Sequence, residues 1–197
     1  MLLPHHAAMQ RFPKEADMEA EALWQRYMLG DKSAFDGIVD MLRDNLIFFI
    51  NRYTHNLDAA EDISQDTFLA LLLHPKRYDY RVKLKTYLFT IARNKAVNYV
   101  KHESRRSMLM VDMSVVSEEY AAFEEQFFAD SEKKRLYAAA SKLPPDYAQV
   151  IYLIYFEDMT YDEAGRVMRK TRKQIENLAY RARAALREEM GKEQTVT

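Results

Sequence analysis

The 197-residue chain has no cysteine, which excludes disulfides, thiolate nucleophiles and thiolate metal sites and fits a reducing compartment. Glycine and proline are scarce, four and five residues, which argues against a turn-dense sandwich or barrel and suits a helix-rich protein of one or two small domains. A net charge of −1 argues against a protein that coats DNA by electrostatics alone. No apolar run approaches a membrane span, and MLLPHHAAMQRFPKEAD is too poor in apolar residues for a signal peptide, so a cytoplasmic protein is expected. Catalytic signatures are missing as well: there is no glycine-rich phosphate loop, G-x-S-x-G elbow or paired catalytic carboxylate motif. His5, His6, His55, His74 and His102 show no HExxH or other ligand spacing. No catalytic residue, metal or cofactor is therefore expected.

What is present is a charge pattern that the near-zero sum conceals. Between Lys76 and Arg106 the cations Lys76, Arg77, Arg81, Lys83, Lys85, Arg93, Lys95, Lys101, Arg105 and Arg106 face only Asp79 and Glu103. From Ser107 to Asp130 there is no cation at all, and the segment has no sustained apolar period, as in an acidic linker. The spacing predicts helices over about Asp17–Leu29, Ser33–Tyr53, Asp58–Leu72 and Leu84–His102 before this tether. After it come Ser131–Leu143, Tyr147–Glu157 and a closing pair. The second helix keeps Phe35, Ile38, Val39, Leu42, Leu46, Phe49 and Ile50 in helical period and reads as core. Asp58 is the expected cap of the third, and Pro75 its stop.

Two capping boxes, Thr160-x-x-Glu163 and Thr171-x-x-Gln174, lie eleven positions apart and place two short helices across a tight turn. In the second of these helices Ile175, Leu178, Ala182 and Leu186 share an inward face. Lys173, Asn177, Arg181 and Ala184 point outward, with Arg172 and Arg183 beside them. This is the pattern of a helix-turn-helix, whose outward cations and amide suit phosphates and base edges in a major groove. A solvated amphipathic helix would look the same in isolation.

Two further constellations need the rest of the chain for interpretation. Asp58, Glu61, Asp62, Gln65 and Asp66 share the third helix, where carboxylates one turn apart suit a divalent cation, a basic partner or the helix N-terminus. No second carboxylate helix with matching spacing follows. Tyr78 and Tyr80 stand among Arg77, Arg81 and Lys83 ahead of the fourth helix, and rings among cations suit either unpaired bases or packing onto the helices. That helix places Leu84, Leu88, Ile91 and Ala92 on one side, and Thr86, Thr90, Arg93, Val97 and Lys101 on the other.

Three segments in order, DAAEDISQDTFLALL, LKTYLFTIARNKAVNYVKH and LPPDYAQVIYLIYFEDMTYDEAGRVMRKTRKQIENLAYRARAAL, resemble regions two and four of bacterial sigma factors of the extracytoplasmic-function group, over roughly Leu23 to Glu189. The resemblance implies an all-α chain of two small helical domains. These are a region 2 domain at 17–106 and a region 4 helix-turn-helix domain at 131–190, joined by the acidic linker at 107–130. Residues 1–16 would be an N-terminal extension and candidate for disorder, and 191–197 a tail. It further implies a non-enzymatic subunit that binds core RNA polymerase and promoter DNA, with an anti-sigma factor as a candidate partner.

By position, Glu61, Asp62, Gln65, Asp66 and Phe68 would meet the polymerase clamp. Arg77, Tyr78, Tyr80, Arg81, Lys83, Arg93, Asn94 and Asn98 would capture the −10 element, and Thr171, Arg172, Lys173, Gln174, Asn177, Arg181 and Arg183 would read the −35 element. Tyr147 to Glu157 would meet the polymerase flap, and the linker would thread toward its active-site channel. Two positions depart from the family's pattern: Arg169 stands in the turn where relatives often carry Gly, and Tyr87 where they often carry Trp. The rival readings are a dimeric helix-turn-helix regulator of operators and an all-helical metal enzyme built on Glu61, Asp62 and Asp66.

Overall fold

The computed structural model describes residues 15–106 and 131–194. Residues 1–14, the expected acidic linker and the last three residues lie outside the described residues. What is described is all-helical. α1 (Glu15–Met28), α2 (Ser33–Thr54), α3 (Leu57–Leu73) and α4 (Leu84–Arg106) make up the first half. α5 (Ser131–Ser141), α6 (Pro145–Ile151), α7 (Tyr161–Met168) and α8 (Arg172–Gln194) make up the second.

α2 is the axis of the molecule. Phe35, Ile38 and Leu42 recur at helical spacing and are buried, as the periodicity predicts, but Leu46, Ile47, Phe48, Phe49 and Ile50 are five consecutive residues with no exposed surface. A helix apolar all round needs cover on every side. α1, α3 and α4 provide one side, through Trp24, Ile63, Phe68, Leu71, Leu84, Leu88 and Phe89. The second half provides the other: the Phe48 ring meets Tyr137 of α5 at 5.6 Å, and Phe49 stacks on Tyr152 at 6.1 Å. Both halves therefore share a single core.

Local chemistry sets the element ends. The N-cap of α3 is Asn56 rather than the expected Asp58. Its side chain accepts the Ala59 N–H at 2.9 Å, and Asp58 lies in the first turn, where it complements the helix dipole. The helix expected over Tyr147–Glu157 ends its regular winding at Ile151 and opens into a π-helical turn over Tyr152–Phe156, in which the Glu157 N–H donates five residues back to the Tyr152 carbonyl. The wider turn buries the consecutive Tyr152, Leu153 and Ile154, and Asp158 then leaves it at φ +54°. Both capping boxes form as the spacing predicts: Glu163 N–H donates to Thr160 Oγ1, and Gln174 N–H to Thr171 Oγ1.

α1 and α7 end alike, with paired carbonyl-directed hydrogen bonds around a left-handed residue. At α1 that residue is Gly30, φ +107°; at α7 it is Arg169, φ +55°. Arginine at this position thus keeps the usual turn geometry with a side chain in an unfavourable region. The turn is close-packed from the other side, because a Cβ on Gly165 would sit 2.7 Å from the Lys170 carbonyl oxygen.

Two substitutions test this account. Arg169→Gly removes the left-handed penalty from an exposed side chain and should raise stability by about 1 kcal/mol. Gly165→Ala forces the turn apart and should lower stability by about 1–3 kcal/mol. Both are read from chemical denaturation midpoints.

Candidate nucleic-acid interface

α7 and α8 form the helix-turn-helix. Ile175, Ala179, Ala182 and Leu186 bury one stripe of α8, while Thr171, Arg172, Lys173, Gln174, Asn177 and Arg181 are all exposed along the opposite one. Tyr180, which no sequence motif marks, lies on the same stripe with 72% of its surface exposed. The stripe opens into a shallow cleft lined by Asp162, Arg166, Arg169, Lys170, Thr171 and Gln174. Arg172 is held ready within it: Nη1 donates to Asp162 Oδ2 at 2.7 Å and Nε to Glu176 Oε1 at 3.0 Å. Arg183 is placed differently from its fellows. It is half-buried and donates to the Tyr161 hydroxyl at 3.2 Å, tying α8 to α7 rather than facing outward.

In the basic loop the two tyrosines separate. Tyr78 is buried, its hydroxyl donating to the Val82 carbonyl at 3.0 Å and its ring packed near Trp24 and Tyr87. Burial pushes its phenol well above the usual range, with Glu21 adding to the effect, so it stays neutral. Tyr80 is half exposed, sits at φ +62° and rests its ring 4.7 Å from that of Tyr78. The inner ring thus forms the floor beneath the outer one. Arg77 and Arg81 are exposed beside them, and Asp79 turns the loop by accepting the Arg81 N–H at 3.2 Å. On α4, Asn98 is exposed and Asn94 half-buried.

Lys83 and Arg93 do not face solvent freely. Lys83 pairs with Glu163 of α7 at 3.1 Å, and the Nε of Arg93 is buried. Thr86, expected on the outward side of α4, is buried because α7 lies along that side. Glu163 itself is held below the usual carboxylate range. Burial alone would raise it, but the Thr160 N–H and hydroxyl and the Lys83 ammonium outweigh that cost.

The acidic helix α3 presents Asp62, Gln65 and Asp66 outward. Glu61 is half-buried and accepts from Arg43 at 3.0 Å, while Asp66 accepts from Lys95 at 2.9 Å. Phe68 faces inward, edge-on to Phe35 at 6.3 Å, so it supports this surface from beneath. The apolar residues on the outside are Leu69 and Leu73, 48% and 64% exposed, in register with Asp62 and Asp66. Acidic residues flanking exposed leucines suit a protein partner. They do not converge on an ion: among the described residues no group of three or more acidic or histidine side chains is placed to hold a metal.

The Sigma-70 region 2 family matches residues 38–106, and the Sigma-70 region 4 family matches residues 133–186. The chain is 28% identical over 152 residues to the ECF RNA polymerase sigma factor SigM of Bacillus subtilis, covering 77% of this chain and 92% of that one. It is 26% identical over 172 residues to SigW of the same organism, covering 82% and 91%. Among solved structures, the fold is similar to the sigma factor RpoE of Bartonella quintana in complex with the anti-sigma factor NepR, at a TM-score of 0.60 and 21% identity over 79% of this chain and 97% of that one. It is also similar to CnrH in complex with the cytosolic domain of CnrY, at a TM-score of 0.58 and 22% identity over 88% and 96%. Regions 2 and 4 stand in order on the two helical halves, and the sigma-factor relatives are matched over nine-tenths of their length, so the chain belongs to the extracytoplasmic-function group of sigma-70 family RNA polymerase sigma factors.

Proposed function

We infer that the chain is a promoter-specificity subunit: it binds core RNA polymerase and directs transcription initiation through −10 and −35 elements. The observation that carries this reading is the pairing of two matched regions on one chain, the second of which exposes a cationic, amide-bearing stripe on its recognition helix. The chain contributes no catalytic step, and it acts where the polymerase is, in the bacterial cytoplasm. An anti-sigma factor belongs to the reading as a further partner. The domains we assign are 17–106 and 131–190, with 107–130 as linker.

Within this reading α8 reads the −35 element through Arg172, Lys173, Asn177 and Arg181, with Thr171 and Gln174 at its start; Arg183 holds the helix in place. Tyr80 stacks on an extruded −10 base over the Tyr78 floor, while Arg77, Arg81 and Asn98 engage the backbone around it. Asp62, Gln65, Asp66 and the adjoining leucines dock on polymerase, braced by Phe68. The dimeric regulator leaves this acidic face and the basic loop without a role, and the metal enzyme lacks a site among the described residues.

A division of labour follows. Arg172→Ala with Asn177→Ala should weaken binding of the assembled holoenzyme to a −35 duplex by about tenfold or more, with core binding unchanged. Asp62→Ala with Asp66→Ala should weaken binding to bacterial core polymerase in a pull-down without changing the selected promoter. The same phenotype from both pairs contradicts the assignment. Separately, Tyr80→Ala should reduce promoter opening, read by permanganate reactivity of unpaired thymines, whereas Tyr78→Phe should lower thermal stability and leave opening intact.

A further inference from the structure

The cleft beside the recognition helix carries more positive charge than −35 reading by α8 uses. One wall is the start of α8, with Thr171, Arg172 and Gln174; the other is the end of α7 and the turn, with Arg166, Arg169 and Lys170. Two of these four cations are already held within the chain. Arg172 donates to Asp162 at 2.7 Å, and Lys170 Nζ lies 3.0 Å from Asp146 Oδ2 of α6. Arg166 and Arg169 are exposed, and among the described residues neither side chain has an ion pair or a hydrogen bond.

Arg169 is also in a conformation that its side chain opposes. The turn holds it left-handed whatever residue stands there, because the Lys170 N–H donates to the Gly165 carbonyl at 2.9 Å and no Cβ fits between Gly165 and the Lys170 carbonyl. At the matching place after α1 the chain has Gly30, which takes φ +107° without strain. An arginine at φ +55° lowers stability, and burial does not offset the loss because the side chain lies in solvent. Strain that the fold does not need points to function.

The position of the turn says which function. When a recognition helix enters the major groove, the helix before it crosses the sugar-phosphate backbone, so the end of α7 and the turn come against one strand. Guanidinium groups on that edge suit phosphate oxygens, which they bind in bidentate fashion, while the base edges lie deeper, against α8.

We propose that Arg166 and Arg169 clamp the phosphate backbone of the strand bordering the −35 element, and that this contact is the reason the turn keeps an arginine in a left-handed position. The clamp rests on the reading of α8 as the −35 helix. It fixes where α8 sits along the groove and carries no sequence information of its own.

The test follows binding of a fluorescent promoter duplex by holoenzyme, assembled from the full chain and bacterial core polymerase, as potassium chloride rises from about 50 to 200 mM. Arg169→Gly should weaken binding by about threefold or more at the lowest salt and reduce the slope of log affinity against log salt by about one; adding Arg166→Ala should reduce it by about two. The loss should be equal on duplexes with altered −35 sequence. Arg169→Gly should also gain the stability predicted above, so that affinity and stability move in opposite directions. Arg169→Asn, neutral and tolerant of the left-handed region, should match Arg169→Gly in the salt titration. Arg169→Lys keeps both charge and strain and should restore the slope. Lys32→Ala, an exposed charge loss in the first half, should leave it unchanged.

Unchanged affinity and slope in Arg169→Gly, with Arg172→Ala and Asn177→Ala still weakening −35 binding, overturns the clamp alone. If that pair has no effect either, the −35 assignment of α8 falls and takes the clamp with it. A loss confined to one −35 sequence makes Arg169 a base reader, and weaker core binding in a pull-down makes it a polymerase contact; each overturns the proposal.

Discussion

The run Leu46–Ile50 on α2 is apolar on every face, and a four-helix first half can cover only one side of it. Burial of Phe48 and Phe49 at roughly 25 cal/mol for each Å² removed from water favours anything that covers the other side, and the second half does so through Tyr137 and Tyr152. Most of the arrangement follows from this. α6 must approach α2, the π-turn must turn three consecutive apolar residues inward, and Glu157 must arrive beside Lys85. The contact between the halves also buries polar groups, several of whose donors find no acceptor. Burial pushes the Tyr53 phenol up to about 12, so it meets Gln149 as a neutral donor around neutral pH.

Near-neutral charge is consistent with a protein whose cations are in part already engaged. Lys83, Lys85, Lys95 and Arg172 each have a carboxylate partner within the chain. Exposed pairs such as Arg172–Asp162 orient a side chain without contributing much to stability. The acidic helix has a complementary design, with Phe35 and Phe68 rigid beneath and Asp62, Asp66, Leu69 and Leu73 presented above.

Features set by neighbours along the chain are legible in the sequence alone. The two capping boxes and the helical period at the start of α2 depend on residues within one turn of each other, and both form as the residues predict. The cap of α3 falls two residues ahead of the expected position because Asn56 and Asp58 are equally competent acceptors, and only the backbone conformation chooses between them. Tyr78 and Tyr80 are indistinguishable in sequence, since both rings sit among cations; the core beneath α4 takes one and leaves the other outside. Phe68 and Arg183 share that ambiguity. In the case of Phe68 the exposed apolar residues are the neighbouring leucines, whose spacing from Asp62 and Asp66 is a signal that could have identified them. The contact between the halves leaves no trace in sequence because it joins residues about a hundred positions apart, and the π-turn arises only from that packing.

The most direct test of the whole account is abortive transcription by bacterial core polymerase on a pooled promoter library, with and without the purified chain. The account predicts new transcripts from a subset of templates sharing −10 and −35 elements, dependent on the added chain and on stable association with core. Direct binding to duplex DNA without association with core, and no new transcript, would contradict it and place the chain among conventional helix-turn-helix regulators.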